Sequence, residues 1–188
     1  MRVMRDRASR VLTLRSPGHV TTLLEAFGMG MCTPNKTRMA SGVQMIKTGE
    51  NLLPAGNRYA ELVGCLLYLS TTTQPDISSA VGVLARFMSC PEEDHRRAAM
   101  GVLRYLRGNT RLGAVCGSDA PLSGFVDADW AGDPNGRRCT TVFVFTLNGG
   151  RVSWADKRKS TVATSTAEQS AWRPPWRPRR RFGLVRCC

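Results

Sequence analysis

Apolar residues in this 188-residue chain keep a helical spacing as far as Gly108 and a two-residue spacing beyond it. That single change of period demands helices first and a sheet afterwards. Tyr59, Leu62, Val63, Leu66 and Leu67 recur three and four apart, which predicts one amphipathic helix. Pro75 suits a first helical turn, where a missing N–H leaves no bond unmade, and opens a second helix with the face Ile77, Ala80, Val81, Leu84 and Phe87. Pro91 begins a third, with Ala98, Ala99, Val102, Leu103 and Leu106 as its apolar face. Glu92, Glu93 and Asp94 complement the positive end of its dipole, and Arg104 and Arg107 the negative end. Three helices joined by short links are expected to pack as a small bundle.

Downstream, residues 112–115 and 122–130 read as strands. Residues 141–147 form a third, rich in Val, Phe and Thr; Asn148-Gly149-Gly150 is a hairpin turn, and 152–155 returns as its partner. Thr164-Ser165-Thr166 before Ala167-Glu168 has the form of a helix cap. Upstream, Val11, Thr13 and Leu14 suggest a short strand, Ser16-Pro17 opens a helix that Gly28 ends, and residues 29–56 are a long connection without periodicity. Pro174, Pro175 and Pro178 each remove a backbone donor, so the segment after residue 170 is expected to be disordered.

Charge narrows the choice of partner. A formal net charge of +13 points to a polyanion, most simply nucleic acid. Part of that excess is local, because Arg173, Arg177, Arg179, Arg180, Arg181 and Arg186 fall in the last sixteen residues with no acid among them. The seven cysteines, 32, 65, 90, 116, 139, 187 and 188, form no C-x-x-C pair and fit neither a zinc site nor a disulfide framework. Free thiols in a reducing compartment are the expectation. The N-terminus interrupts every apolar run with charge, and no stretch approaches a spanning length, so an intracellular protein of cytoplasm or nucleus is expected, with no membrane partner.

Asp127, Asp129 and Asp133 make the one dense acid cluster outside a helix start. Residues two apart on a strand share a face, so Asp127 and Asp129 project together. Oxygen ligands of this kind suit Mg²⁺ or Mn²⁺ rather than zinc. A solvated strand end is the plain alternative. His19 and His95 have no nucleophile partner at a recognised spacing, which favours surface or helix-packing roles over catalysis. Lys157, Arg158 and Lys159 suit a nucleic-acid backbone or a simple solvated turn. The Trp172–Arg181 run with its interleaved Trp and Arg suits single strands unless its basicity is the accident of a shifted reading frame, which is the favoured reading.

Two long segments carry a family resemblance. RYAELVGCLLYLSTTTQPDISSAVGVLARFMSCPEEDHRRAAMGVLRYLRG, residues 58–108, resembles the end of the reverse transcriptase of copia-type LTR retrotransposons. GFVDADWAGDPNGRRCTTVFVFTLNGGRVSWADKRKSTVATSTAE, residues 124–168, resembles the start of the ribonuclease H domain of the same Pol polyprotein. The opening MRDRASRVLTLRSPGHVTTLLEAFGM is similar to the reverse transcriptase segment that follows the polymerase active site. Carried over residue by residue, Asp127 matches the first catalytic aspartate of the ribonuclease H, and Glu168 the first acid of the S-T-A-E-A-E-Y motif that supplies the glutamate. Ser170 stands where the second acid of that motif belongs. Gln74 replaces the usual Arg before Pro-Asp, and Arg96 the usual Trp after His95. Cys139 and Val142 replace the small residues of the R-x-S-T-x-G turn, and residues 171–188 bear no resemblance to the family.

The resemblance implies an α+β chain. Residues 1–110 would be a remnant of the reverse transcriptase end, 111–170 an incomplete ribonuclease H-like antiparallel sheet with the start of one helix, and 171–188 a basic Arg/Pro tail. In the intact family the ribonuclease H cuts the RNA of RNA–DNA hybrids with two Mg²⁺ or Mn²⁺ ions and a water nucleophile. No polymerase Y-V-D-D-type motif occurs in this chain, and no Asp or Glu follows Glu168. The expectation is therefore a catalytically inactive segment with Asp127 and Glu168 as vestigial catalytic and metal-ligating residues, binding metal weakly or not at all. The abrupt switch after the motif is what a shifted reading frame produces. The alternatives are a metal-dependent ribonuclease H whose carboxylates a partner chain completes, and a non-catalytic nucleic-acid-binding module.

Overall fold

Helices precede strands as the change of period requires, but a hairpin stands before both. The computed structural model describes residues 1–39, 45–117, 119–129 and 140–158. Two units emerge, Met1–Val115 and Cys116–Cys188. In the first, α1 (Pro17–Ala26), α2 (Tyr59–Thr72), α3 (Ser78–Ala85) and α4 (Glu93–Gly108) enclose one core, and a single 3₁₀ turn, Pro75–Ile77, leads into α3. None of the helices among the described residues is long and apolar enough to cross a membrane.

The bundle thus has four helices rather than three, because Val20, Leu23 and Leu24 of α1 join the same core. The face expected for the second helix is met in full: Ile77, Ala80, Val81, Leu84 and Phe87 are all buried. On α2 the inward stripe runs through Tyr59, Leu62, Val63 and Leu66 to Leu69 and Ser70, while Leu67 is only half-buried. Full burial of a leucine is worth roughly 1.5–3 kcal/mol, so these stripes are what orders the helices. Tyr59 carries its hydroxyl into the core and donates it to the Leu84 carbonyl at 2.9 Å, and burial pushes its pKa up. On α4, Arg107 lies in the last turn, as the charge pattern predicts, and both Arg104 and Arg107 also reach the connection. Arg104 donates to the Thr33 carbonyl and Arg107 to that of Cys32, which ties the start of the long connection to the helix.

The end of that connection is tied down by Glu92, the N-cap of α4. Its carboxylate accepts the backbone N–H groups of Thr48 and Gly49, each at 2.9 Å, and the Thr48 hydroxyl at 2.7 Å. These bonds hold the Glu92 carboxyl below the usual carboxylate range, the Thr48 hydroxyl foremost. Around it, Leu53 N–H donates to the Pro91 carbonyl and Glu93 N–H to that of Asn51. His95 completes a capping box by accepting the Glu92 N–H on Nδ1 at 3.0 Å. Its ring stacks on Phe87 with centroids 3.9 Å apart. The residue expected to pack between helices does so.

At the N-terminus, β1 (Arg2–Asp6) pairs antiparallel with β2 (Val11–Arg15), and β3 (Ala114–Cys116) lies on the other side of β2. The third strand begins two residues later than the pattern suggested, and Gly113 just before it is pressed against β2. A Cβ there would run into the Leu14 carbonyl oxygen and come within 2.7 Å of Arg15 Cγ. In the second unit, β4 (Ser123–Asp129), β5 (Thr140–Leu147) and β6 (Gly150–Arg158) form an antiparallel sheet in sequence order. The described residues are thus α+β, with two three-stranded sheets.

Two outcomes test this description. Gly113→Ala is expected to cost about 1–3 kcal/mol in urea unfolding, since the obstacle is backbone that cannot swing aside. The second concerns pH. Burial, opposed by the Glu92 and Asp94 charges, lowers the His95 pKa below its ordinary value of 6.5. The unfolded chain therefore binds a proton that the folded one refuses in the window between the lowered value and 6.5. Stability is expected to be full above pH 6.5 and to decline as pH falls through that window. His95→Gln, which keeps an acceptor but cannot titrate, should flatten the decline in thermal midpoints measured across that range.

Candidate functional site

The acid site anticipated from the sequence falls on the first strand of the second unit, and strand register decides what stands beside it. Asn148 and Gly149 take φ of 52° and 74°, the two positive values of a type I′ turn, whose twist matches that of the strands it joins. The turn is held from outside as well. Gly117 N–H donates to the Asn148 carbonyl at 2.9 Å, and Asn148 N–H donates to the Ala120 carbonyl at 3.1 Å. With the turn fixed, Leu147 lies opposite Gly150, and a register shift between Phe145 and Thr146 sets the rest of the ladder.

On that ladder Asp127 lies opposite Val142, and Val142 opposite Asp156. The row is bordered by Phe125–Val144–Trp154 on one side and by Asp129–Thr140–Arg158 on the other. Strand spacing puts the outer backbones of such a row about 10 Å apart. The alternate set on β5 holds the buried positions Thr141 and Phe145, with the Phe143 and Phe145 rings 5.7 Å apart between centroids. Val142 and Val144 therefore occupy the face opposite the one that Phe145 buries, while Phe125 is 54% exposed.

Asp156 was not singled out by sequence reasoning. The signal available was its place two residues after Trp154 in the returning strand, which only a known register converts into a row with Asp127. Asp129 ends β4, and Lys157 and Arg158 end β6. Glu168, Asp133, Lys159, Ser170, the helix cap at 164–166 and the Trp172–Arg181 run lie outside the described residues. Among the described residues no group of three or more His, Cys, Asp or Glu is placed to hold a metal ion. Carboxylate oxygens have the right chemistry for Mg²⁺ or Mn²⁺, but the described residues alone do not assemble a set. Cys32, Cys65, Cys90 and Cys116 are free thiols.

These features define an α+β chain in which a helical unit precedes an antiparallel sheet whose first strand carries acids. Comparison with known proteins names the lineage. The chain is 39% identical over 176 residues to the retrovirus-related Pol polyprotein from transposon TNT 1-94 of Nicotiana tabacum, a match covering 89% of this chain. It is 33% identical over 164 residues to the corresponding polyprotein from transposon RE2 of Arabidopsis thaliana, covering 86% of this chain. A third relative, the secreted RxLR effector protein 161 of Plasmopara viticola, is 46% identical over 112 residues, 58% of this chain and 79% of its own length. This chain belongs to the family of copia-type, retrovirus-related Pol polyproteins of transposons. It spans only 13% and 11% of the length of the first two relatives. No protein-family model matches the chain, and no solved structure matches it.

The turn offers a test of the ladder. Gly149 has φ of 74°, so Gly149→Val should loosen the hairpin by about 1 kcal/mol or more. Hydrogen exchange of the β5 and β6 amides is expected to quicken in that variant, with the α2 and α4 amides unchanged.

Proposed function

We propose that this chain corresponds to the junction between the end of the reverse transcriptase and the start of the ribonuclease H domain of a copia-type Pol polyprotein. By itself it is catalytically inactive and keeps a capacity to bind nucleic acid. The observation that carries the reading is the position of Asp127 within the first strand of an antiparallel three-stranded sheet that follows a helical unit. That order is the one the resemblance implies. A two-metal hydrolysis of phosphodiesters needs several carboxylates to hold both ions. Asp127 and Glu168 are the two this chain offers by resemblance, and Ser170 takes the place of another acid.

One observation supports a second reading, a ribonuclease H completed in trans. β4 is an edge of its sheet among the described residues, hydrogen-bonded only to β5, so a strand from a partner chain has a ladder to join. In that reading Asp127 and Glu168 would hold Mg²⁺ or Mn²⁺ with carboxylates supplied by the partner.

Incubating the full chain with Mg²⁺ or Mn²⁺ and a labelled RNA–DNA hybrid, beside an Asp127→Asn variant, separates these. The expected result is no cleavage by either protein. Metal-dependent cleavage by the wild-type chain that disappears in Asp127→Asn would overturn the inactive reading.

A further inference from the structure

The strongest unabsorbed feature lies in the other unit, at the tip of the β1–β2 hairpin. Residues 7–10 make the loop, Arg5 stands opposite Leu12 on the ladder, and Arg7 and Arg10 sit in the loop itself. Arg5, Arg7 and Arg10 surround a concavity of about 450 Å³ whose remaining walls are Val11 and Leu12. All three arginines are exposed, and among the described residues none forms an ion pair. The nearest acid, Asp6, is engaged in building the turn. Its carboxylate accepts the N–H groups of Ala8 and Ser9 and the Ser9 hydroxyl at 2.6 Å.

Two costs are borne at this tip. Three guanidinium groups around one hollow repel one another, and Arg10 adopts φ of 55°, a left-handed conformation that costs a side-chain-bearing residue about 1–2 kcal/mol. Glycine would close the same turn without that cost. What glycine cannot supply is the third cation. Guanidinium groups offer paired donors that match phosphate oxygens, and an exposed cluster of them is suited to a chain of phosphates.

We propose that the hairpin tip is a phosphate-binding site, formed by Arg5, Arg7 and Arg10, that grips the backbone of single-stranded nucleic acid without regard to base. It rests on the nucleic-acid-binding reading only for the identity of the partner. The site is remote in sequence from Asp127 and takes no part in hydrolysis. Val11 and Leu12 give the hollow an apolar floor for the sugar edge between successive phosphates.

The test uses the full chain and fluorescently labelled, mixed-sequence single-stranded DNA and RNA, with binding followed by anisotropy across a salt series. Arg5→Ala/Arg7→Ala/Arg10→Ala is expected to weaken binding at least tenfold and to reduce the slope of log K against log salt by about 2, the share of three phosphate contacts. Arg10→Gly should reduce that slope by about 0.7 while its thermal midpoint holds or rises, so it decides the matter should the triple variant misfold. Arg5→Lys/Arg7→Lys/Arg10→Lys should keep the slope and lose affinity through the lost paired donors. Unchanged affinity and slope in the triple and glycine variants would overturn the proposal, as would a wild-type chain that binds no oligonucleotide at low salt. Loss of binding to phosphatidylserine vesicles with oligonucleotide binding intact would overturn the partner. None of these readouts depends on Asp127, so the hydrolysis assay stands or falls separately.

Discussion

The helical unit depends on one carboxylate. Glu92 terminates the long connection and starts the last helix, because its two oxygens take three donors from Thr48 and Gly49 while its own N–H is taken by His95. Without it, the N–H groups of Thr48 and Gly49 and the Thr48 hydroxyl would lose their acceptor where the connection meets the helix. The stacking of His95 on Phe87 then carries the cap into the core, so that the start of α4, the end of α3 and the connection share one support. Packing of leucines gives the bundle its cohesion, but the Glu92 knot selects which arrangement of chain the cohesion serves.

Where a residue's role follows from its own spacing, the sequence was legible; where it follows from a neighbour distant along the chain, it was not. The stripe from Ile77 to Phe87 and the Asn148-Gly149 turn were readable because helical period and turn chemistry are local. Glu92 read as a charge favourable to a helix dipole, since Thr48 is invisible to periodicity. Arg104 and Arg107 read the same way, and their further bonds to Thr33 and Cys32 are as invisible to periodicity. β1 escaped notice because all five of its residues are exposed and no apolar alternation marks it; β2 supplies its ladder. Asp127 could be placed on a strand, but its companion Asp156 emerges only from the register across β5.

Membership of the Pol polyprotein family frames the chemistry without completing it. The two units bear different charge logic: acids along one row of the second sheet, arginines gathered on the hairpin of the first. Gln74, standing in place of an arginine, is buried at 1% exposure with both amide atoms unpaired among the described residues. A buried amide without partners is destabilising. The residue that departs from the family pattern thus places an unpaired amide just beyond the end of α2.

The first sheet has a consequence for how such a unit travels inside a longer polypeptide. Its central strand comes from the beginning of the chain and β3 from beyond the last helix, so the two ends of the helical unit meet side by side at Leu14 and Gly113. Closing a loop of that size costs roughly 4 kcal/mol of chain entropy, which the helices must already have offset by folding between them. Once closed, entry and exit share one doorway. A segment with that property can be carried between neighbours of any length without obliging them to reach around it.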